Sequence, residues 1–226
     1  MIDMKGSSAA RIYPFAFYIL FLALDQPLSR LTATVGFDAR WLYAVRVGLV
    51  AVLLAWLWRS YSELKWPIVI SWRAWLVAIA SGSAVFALWI LPYPDWAAMG
   101  AGGKGFDPTG ADGGIDPVLA ACRIAGAALV VPLMEELFWR SYLMRWLEKA
   151  DFLAVDPSQV RWVAFVATAA LFAVEHHFWL AGLLAGMTYG WLYLTHRNLW
   201  VPVIAHAITN AMLGVWVLHT GAWQYW

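Results

Sequence analysis

The stretch Pro132-Leu133-Met134-Glu135-Glu136-Leu137-Phe138-Trp139-Arg140 places two adjacent carboxylates and an arginine inside an apolar segment, Val118–Leu147. Ionisable side chains at membrane depth are costly, so they mark either a function or a structural ion pair. At about 100° per residue, Glu135 and Glu136 leave a helix in different directions. Glu136 and Arg140 are four residues apart with the acid first, which predicts a helix salt bridge. Glu135 is left without a local partner and is therefore the candidate functional carboxylate.

The composition is typical of a helical membrane protein. Of the 226 residues, 63% are hydrophobic and 13% are charged, whereas soluble domains carry about 25% charged residues. The 17 tryptophans agree, because indole side chains favour the membrane–water interface. A net charge of +1 gives no reason to expect a nucleic-acid partner, and the single Cys122 excludes an intrachain disulfide. We predict an all-α fold, with residues 1–226 forming one integral-membrane domain in the lipid bilayer of a bacterial-type plasma (inner) membrane.

Apolar runs predict a polytopic bundle of about seven transmembrane helices. The predicted spans are Ile12–Leu24, Trp41–Leu57, Trp72–Leu91, Val118–Leu147, Trp162–Val174, Phe178–Leu194 and Leu199–Leu218. Between the third and fourth spans, Tyr93–Asp116 is rich in Gly, Asp and Pro, which predicts a solvated loop. Its run Gly102-Gly103-Lys104-Gly105 is similar to a phosphate-binding loop. However, the Walker spacing and a preceding strand are missing, so we do not expect nucleotide binding there.

Basic residues concentrate at the N-terminus and in the connections after the second, fourth and sixth spans. They are Lys5, Arg11, Arg59, Lys65, Arg73, Arg145, Lys149, Arg161 and Arg197. The positive-inside rule therefore places the N-terminus and these connections in the cytoplasm and the C-terminus outside. On the sixth span, Gly182, Gly186 and Gly190 form a stripe of small residues, which predicts close packing against another helix.

Three further polar side chains lie where lipid-facing helices have none. His176 closes the fifth span, while His206 and Asn210 share one face of the seventh. Counted along their helices from the basic ends, Glu135 and His206 lie at similar depths of about 15 Å, and His176 lies at about 22 Å. A single histidine or asparagine in a membrane helix is often only an interhelical hydrogen-bonding group. Their combination with an unpaired glutamate predicts a common site below the cytoplasmic surface.

In order along the chain, these residues resemble the three motifs of the CPBP (CAAX-processing and bacteriocin-processing) intramembrane proteases, the family that includes the Rce1-type CAAX proteases. The motifs are Glu135-Glu136-x-x-x-Arg140, Phe172-x-x-x-His176 and His206-x-x-x-Asn210. The resemblance covers about residues 118–218, and the first three spans carry no motif. A second histidine, His177, follows His176; Phe172 favours His176, because residues four apart share a helix face.

The resemblance implies a glutamate-dependent endopeptidase that acts in the membrane on a peptide or protein substrate, lipidated substrates included. Glu135 would be the general base for a water molecule that His176 helps to hold. His206 and Asn210 would stabilise the oxyanion, while Glu136 and Arg140 would fix the helix and tune the site. The spans would form a cavity open to the cytoplasm, which admits an extended peptide tail. No cofactor and no metal are expected.

Three alternatives remain open at this point. A zinc protease could use Glu135, His176 and His206 as ligands, although no His-Glu-x-x-His is present and Asn210 is a poor zinc ligand. A transporter could use the buried carboxylate as a proton relay, but it would not need the His206–Asn210 pair, and matching broken helices of an inverted repeat are missing. A non-catalytic membrane scaffold that keeps the same fold is the third alternative.

Overall fold

A computed structural model describes residues 7–100 and 105–226 of the chain. Residues 1–6 and 101–104, and with them Lys5 and most of the glycine-rich run at 102–105, lie outside the described residues. The helices are α1 (Ser7–Ala23), α2 (Asp25–Thr34), α3 (Trp41–Trp56), α4 (Trp72–Trp89), α5 (Pro117–Trp146), α6 (Trp162–Ala173), α7 (Trp179–His196) and α8 (Trp200–Thr220). Short 3-10 turns occupy Trp58–Ser60, Asp95–Ala97, Phe152–Ala154, Pro157–Gln159 and Trp223–Tyr225. Apart from one isolated bridge between Thr109 and Ile115, the described ranges contain no β structure, so the all-α prediction is confirmed.

Each predicted span overlaps a helix, and local capping signals set several of the helix ends. Asp116 caps α5 by accepting hydrogen bonds from the backbone N–H groups of Val118 and Leu119 at 2.9 and 3.0 Å. Ser71 caps α4 in the same way. Gly221, with a φ of 69°, ends α8 in the left-handed conformation that glycine adopts without strain. The sequence does not predict α2, which follows α1 after a bend of 57°.

Length and composition allow fewer membrane crossings than the seven predicted. Among the described helices, α4, α5 and α8 are long and apolar enough to cross a bilayer, and the bent pair α1–α2 would be a fourth span. The apolar helix α6 has 12 residues, which makes it about 18 Å long against a hydrocarbon core of about 30 Å. The class of helical membrane protein is therefore confirmed, while the number seven and the N-in, C-out orientation stay predictions.

Helix α8 lies at the centre of the bundle, where it packs against α4, α5 and α7. One hydrophobic core contains buried residues from each of the helices α1 to α8 except α2. At Gly82 of α4, an added Cβ would lie 2.3 Å from the backbone oxygen of Ala205, so α4 and α8 are in backbone contact. This contact holds the face of α8 that carries His206 in a defined position.

The glycine stripe of α7 faces α6, as the sequence predicts. An added Cβ at Gly186 would lie 3.1 Å from the Cα and the backbone oxygen of Ala169, and one at Gly190 would lie 2.8 Å from the ring of Phe165. At Gly182 the nearest atoms include the side chain of His176, at 3.2 Å. The packing role of the stripe is confirmed, and Gly182 also makes room for a predicted site residue.

Candidate active site

Glu136 is the fully buried centre of a polar cluster between α5 and α8. Its Oε1 lies 3.1 Å from Nη1 of Arg140 and 3.0 Å from Nδ1 of His206. The salt bridge predicted from the spacing of Glu136 and Arg140 is therefore present. Arg140 also donates from Nη2 to the backbone oxygen of Gly186 at 3.3 Å, and its guanidinium lies 4.5 Å from the ring centre of Phe172. Through these contacts Glu136 and Arg140 join α5 to α6, α7 and α8.

Glu135, the neighbouring carboxylate, is also buried but lacks such partners. Its Oε2 lies 4.0 Å from Nε2 of His206, beyond hydrogen-bonding distance. This oxygen accepts no hydrogen bond from the described residues. A buried carboxylate oxygen without a partner is costly, and burying it is reasonable where a reactant supplies the missing contact. The two glutamates thus differ in the way that the sequence predicts.

His176 and His206 both approach the ring of Phe172, with ring centres 4.7 and 6.3 Å from it. Nδ1 of His176 lies 2.9 Å from the backbone oxygen of Phe172. Because a carbonyl can only accept, Nδ1 carries the proton, and Nε2 of the neutral ring is left as an acceptor. His177 points elsewhere: its Nδ1 donates to the backbone oxygen of Met99 at 2.6 Å, and the Met99 N–H donates back to His177. The structure thus brings His176 to the cluster and uses His177 to hold a loop.

Asn210 contacts an irregular turn of α5 in which the backbone follows a π-helical path, Gly126–Val130. In this turn the N–H of Val131 donates to the carbonyl of Gly126, five residues earlier. The same spacing would pair the carbonyl of Ala127 with residue 132, but Pro132 has no N–H to donate. Nδ2 of Asn210 supplies the missing hydrogen bond at 2.8 Å. Its second N–H has no partner among the described residues. One half of this amide therefore joins two helices, and the other half is available to a ligand.

Phe172, Trp139 and Tyr189 form the walls of the cluster, a role that the sequence signals only weakly. The ring of Trp139 packs edge-on to Phe172 at 6.0 Å, and its Nε1 donates to Glu175 at 3.2 Å. Tyr189 stacks on His206 with ring centres 4.7 Å apart, and its hydroxyl donates to Thr209 at 2.7 Å. Stacking holds the imidazole plane of His206, so Tyr189 is a positioning residue. Its place four residues from Tyr193 on α7 is the only sequence signal for this role.

The geometry offers little to a metal ion. Among the described residues, no group of three or more His, Cys, Asp or Glu side chains is arranged to hold one. The set Glu135, His176 and His206, which the zinc alternative requires, does not form such a group. Independence of metals and cofactors nevertheless stays a prediction, which chelation can test.

Comparison with known proteins agrees with the motifs. Residues 117–212 match the family model described as type II CAAX prenyl endopeptidase Rce1-like. This segment is therefore similar to the Rce1-like family. It contains all six predicted site residues, from Glu135 to Asn210, and the resemblance drawn from the motifs is confirmed. The family points to a protease, and the apolar helices point to an integral membrane protein. Neither a curated protein nor a solved structure matches the chain.

Proposed function

We propose that this protein is an intramembrane endopeptidase in which Glu135 activates a water molecule. The observation that carries this proposal is the buried carboxylate of Glu135, neither oxygen of which has a hydrogen-bonding partner among the described residues. The neighbouring Glu136 also has a buried Oε2 without a partner among the described residues, but its Oε1 contacts both Arg140 and His206, so Glu136 serves as the structural carboxylate. The family match supports a substrate bond near the C-terminus of a membrane-associated peptide or protein.

Water would be held between Glu135 and His176. The free acceptor Nε2 of His176 is oriented by the hydrogen bond from Nδ1 to Phe172. As the water oxygen attacks the scissile carbonyl carbon, one proton passes to Glu135 and a tetrahedral oxyanion forms. When this intermediate collapses, the carbon–nitrogen bond breaks and Glu135 returns the proton to the leaving nitrogen. The products are a carboxylic acid and an amine, and Glu135 is ionised again.

The oxyanion would be stabilised by Asn210 and His206. Asn210 can donate its second N–H, since the first is occupied by Ala127. His206 donates from Nδ1 to Glu136, so its Nε2 can donate to the oxyanion only when the ring is an imidazolium. An imidazolium at His206 and the guanidinium of Arg140 together balance ionised Glu135 and Glu136. Preplaced donors in a dry site stabilise a developing oxyanion strongly.

The proposal is tested by reconstituting the purified protein with total membrane proteins in liposomes and identifying new C-termini by mass spectrometry. We expect a set of shortened C-termini with the wild-type protein. With Glu135→Gln this set should be missing, because the amide keeps the size of the side chain but cannot accept the proton. Thermal unfolding of both proteins in detergent establishes that the variant is folded. New C-termini of equal abundance with folded Glu135→Gln, or none with the wild type, would refute the proposal.

A further inference from the structure

A cavity of about 380 Å³ lies between the connection that follows α3 and the junction of α7 and α8. It is separate from the active-site residues around Glu135 and Glu136, which we call the Glu135 cluster. Its volume is within the range of small-ligand sites, about 300–1,000 Å³. Lys65, Arg145 and Arg197 line it together with Glu63, and none of the six predicted active-site residues does. Both connections lie on the side of the bundle where the basic residues concentrate. The cavity is therefore a second, positively charged feature of the fold.

Beneath the cavity, two buried guanidinium groups share one carboxylate. Arg11 and Arg145 both donate to Glu63, and Ser141 completes the cluster. The side chain of Arg11 is fully buried, and those of Arg145 and Glu63 are 5% and 9% exposed. Burial alone would raise the pKa of Glu63, but hydrogen bonds from Arg11 and Ser141 outweigh it and lower this pKa. Glu63 is thus an anion at neutral pH, and among the described residues one positive charge of the cluster is left without a counter-charge.

The two arginines differ in how completely they are bonded. All three nitrogens of Arg11 donate, to Glu63, Ser141, Ser7 and Ser60. Arg145 donates from Nε and Nη2 only, and its Nη1 has no partner among the described residues. Because Arg145 lines the cavity, this spare nitrogen is the part of the cluster that can bind a ligand. Because the described cluster carries two guanidinium charges and one carboxylate, the ligand should be an anion.

The rim of the cavity combines positive charge with exposed apolar groups. Lys65 and Arg197 are exposed, and Arg197 has one acidic neighbour, Asp156, at 3.6 Å. Val69, which lines the cavity, is 77% exposed, and Trp66, next to Lys65 on the same connection, is 73% exposed. Indoles exposed at the end of a membrane helix favour the interface between water and lipid. The rim thus has the chemistry of a surface that contacts lipid headgroups.

We propose that this cavity binds the phosphate group of an anionic phospholipid from the adjacent leaflet. Nη1 of Arg145 would donate to a phosphate oxygen, while Lys65 and Arg197 would contribute charge at the rim. Basic pockets between membrane helices bind anionic headgroups in this way. The inference does not depend on proteolysis, since it uses none of the residues of the Glu135 cluster.

The test measures ligand binding to the purified full-length chain in an uncharged detergent. Binding is followed by the midpoint of thermal unfolding, and bound lipid is counted by native mass spectrometry. Dioctanoyl phosphatidylglycerol should bind saturably with one molecule per chain. Dioctanoyl phosphatidylcholine and inorganic phosphate should bind at least about tenfold more weakly, because one is zwitterionic and the other lacks contact with the apolar rim.

The informative variant is Lys65→Gln combined with Arg197→Asn, since asparagine tolerates the φ of 50° at position 197. It should weaken phosphatidylglycerol binding by about 10- to 30-fold. The matched control, Arg59→Gln with Arg73→Gln, removes the same charge from exposed positions outside the cavity and should bind normally. Equal weakening in both variants would refute the site.

Two further outcomes would refute the choice of ligand. Inorganic phosphate that binds as tightly as phosphatidylglycerol would make this a site for free phosphate. A peptide with a free C-terminus that displaces the lipid, while its amidated form does not, would assign the cavity to a substrate carboxylate.

Discussion

The buried ion pair between Glu136 and Arg140 allows a sharp test of the division of roles between the two glutamates. Glu136→Gln keeps the size of the side chain and an oxygen that can accept from Nδ1 of His206, but it removes the charge opposite Arg140. The Arg140 side chain, which is only 3% exposed, would then remain buried without the carboxylate that it contacts. Glu135→Gln, in contrast, removes a carboxylate whose Oε2 has no hydrogen-bonding partner among the described residues.

The expected cost follows from these contacts. Breaking a buried pair by removing one partner costs about 3–5 kcal/mol. Arg140 keeps its bond to the Gly186 carbonyl and the face of Phe172, so we expect the lower end, about 3 kcal/mol of unfolding free energy. Arg140→Met should cost a similar amount. The double variant should cost about 2 kcal/mol less than the sum of the two single variants, because no unpaired charge is left buried.

Equilibrium unfolding in mixed micelles, followed by tryptophan fluorescence, measures these free energies. The matched control is the surface pair of Glu148 and Arg161, whose N and O atoms are 2.8 Å apart and whose arginine is 74% exposed. Glu148→Gln should cost less than about 1 kcal/mol. Glu135→Gln should leave the free energy of unfolding unchanged or higher while it abolishes cleavage.

Two results would contradict this reasoning. If Glu136→Gln cost no more than Glu148→Gln, the buried pair would not stabilise the fold. If the costs of Glu136→Gln and Arg140→Met were simply additive, the two side chains would not interact.

Four other predictions follow from the structure. Asn210→Ala should lower kcat by about 10²–10³ with KM within a few-fold, since one oxyanion donor is lost; a rise in KM alone, measured on a cleaved peptide, would contradict this role. Gly186→Ala should lower the free energy of unfolding by about 1–3 kcal/mol, because its Cβ would lie 3.1 Å from Ala169. The control Gly48→Ala, whose Cβ meets nothing within 4 Å, should not lower it. Reporter fusions should place residues 93–116 outside and 148–161 inside, and finding both on one side would overturn the topology. Activity should survive strong chelation, whereas about one zinc per chain that is lost together with activity would favour a metalloprotease.

Much of the fold is predictable from short-range patterns in the sequence. The helix positions follow from apolar runs, and several of their ends follow from caps such as Asp116 and Gly221. The Glu136–Arg140 pair and the glycine stripe of α7 follow from spacings of four residues. Helix α2 escapes prediction because its sequence, Asp25–Thr34, is not apolar and begins after a sharp bend. Its Asp25 is paired with the distant Arg46 at 3.0 Å, a contact that no local pattern indicates.

The residues of the Glu135 cluster could likewise be predicted from the sequence, but most of the contacts between them could not. Three motifs identify Glu135, His176, His206 and Asn210, and spacing along single helices places Glu135 and His206 at similar depths. The position of Phe172 already favours His176 over His177 in the sequence, and the structure agrees. Only the tertiary structure decides that His206 donates to Glu136 and that Asn210 satisfies the carbonyl of Ala127. The physical reason is the range of the interactions. Caps and ion pairs four residues apart form within one helix, whereas these contacts depend on which helices pack together and at what rotation.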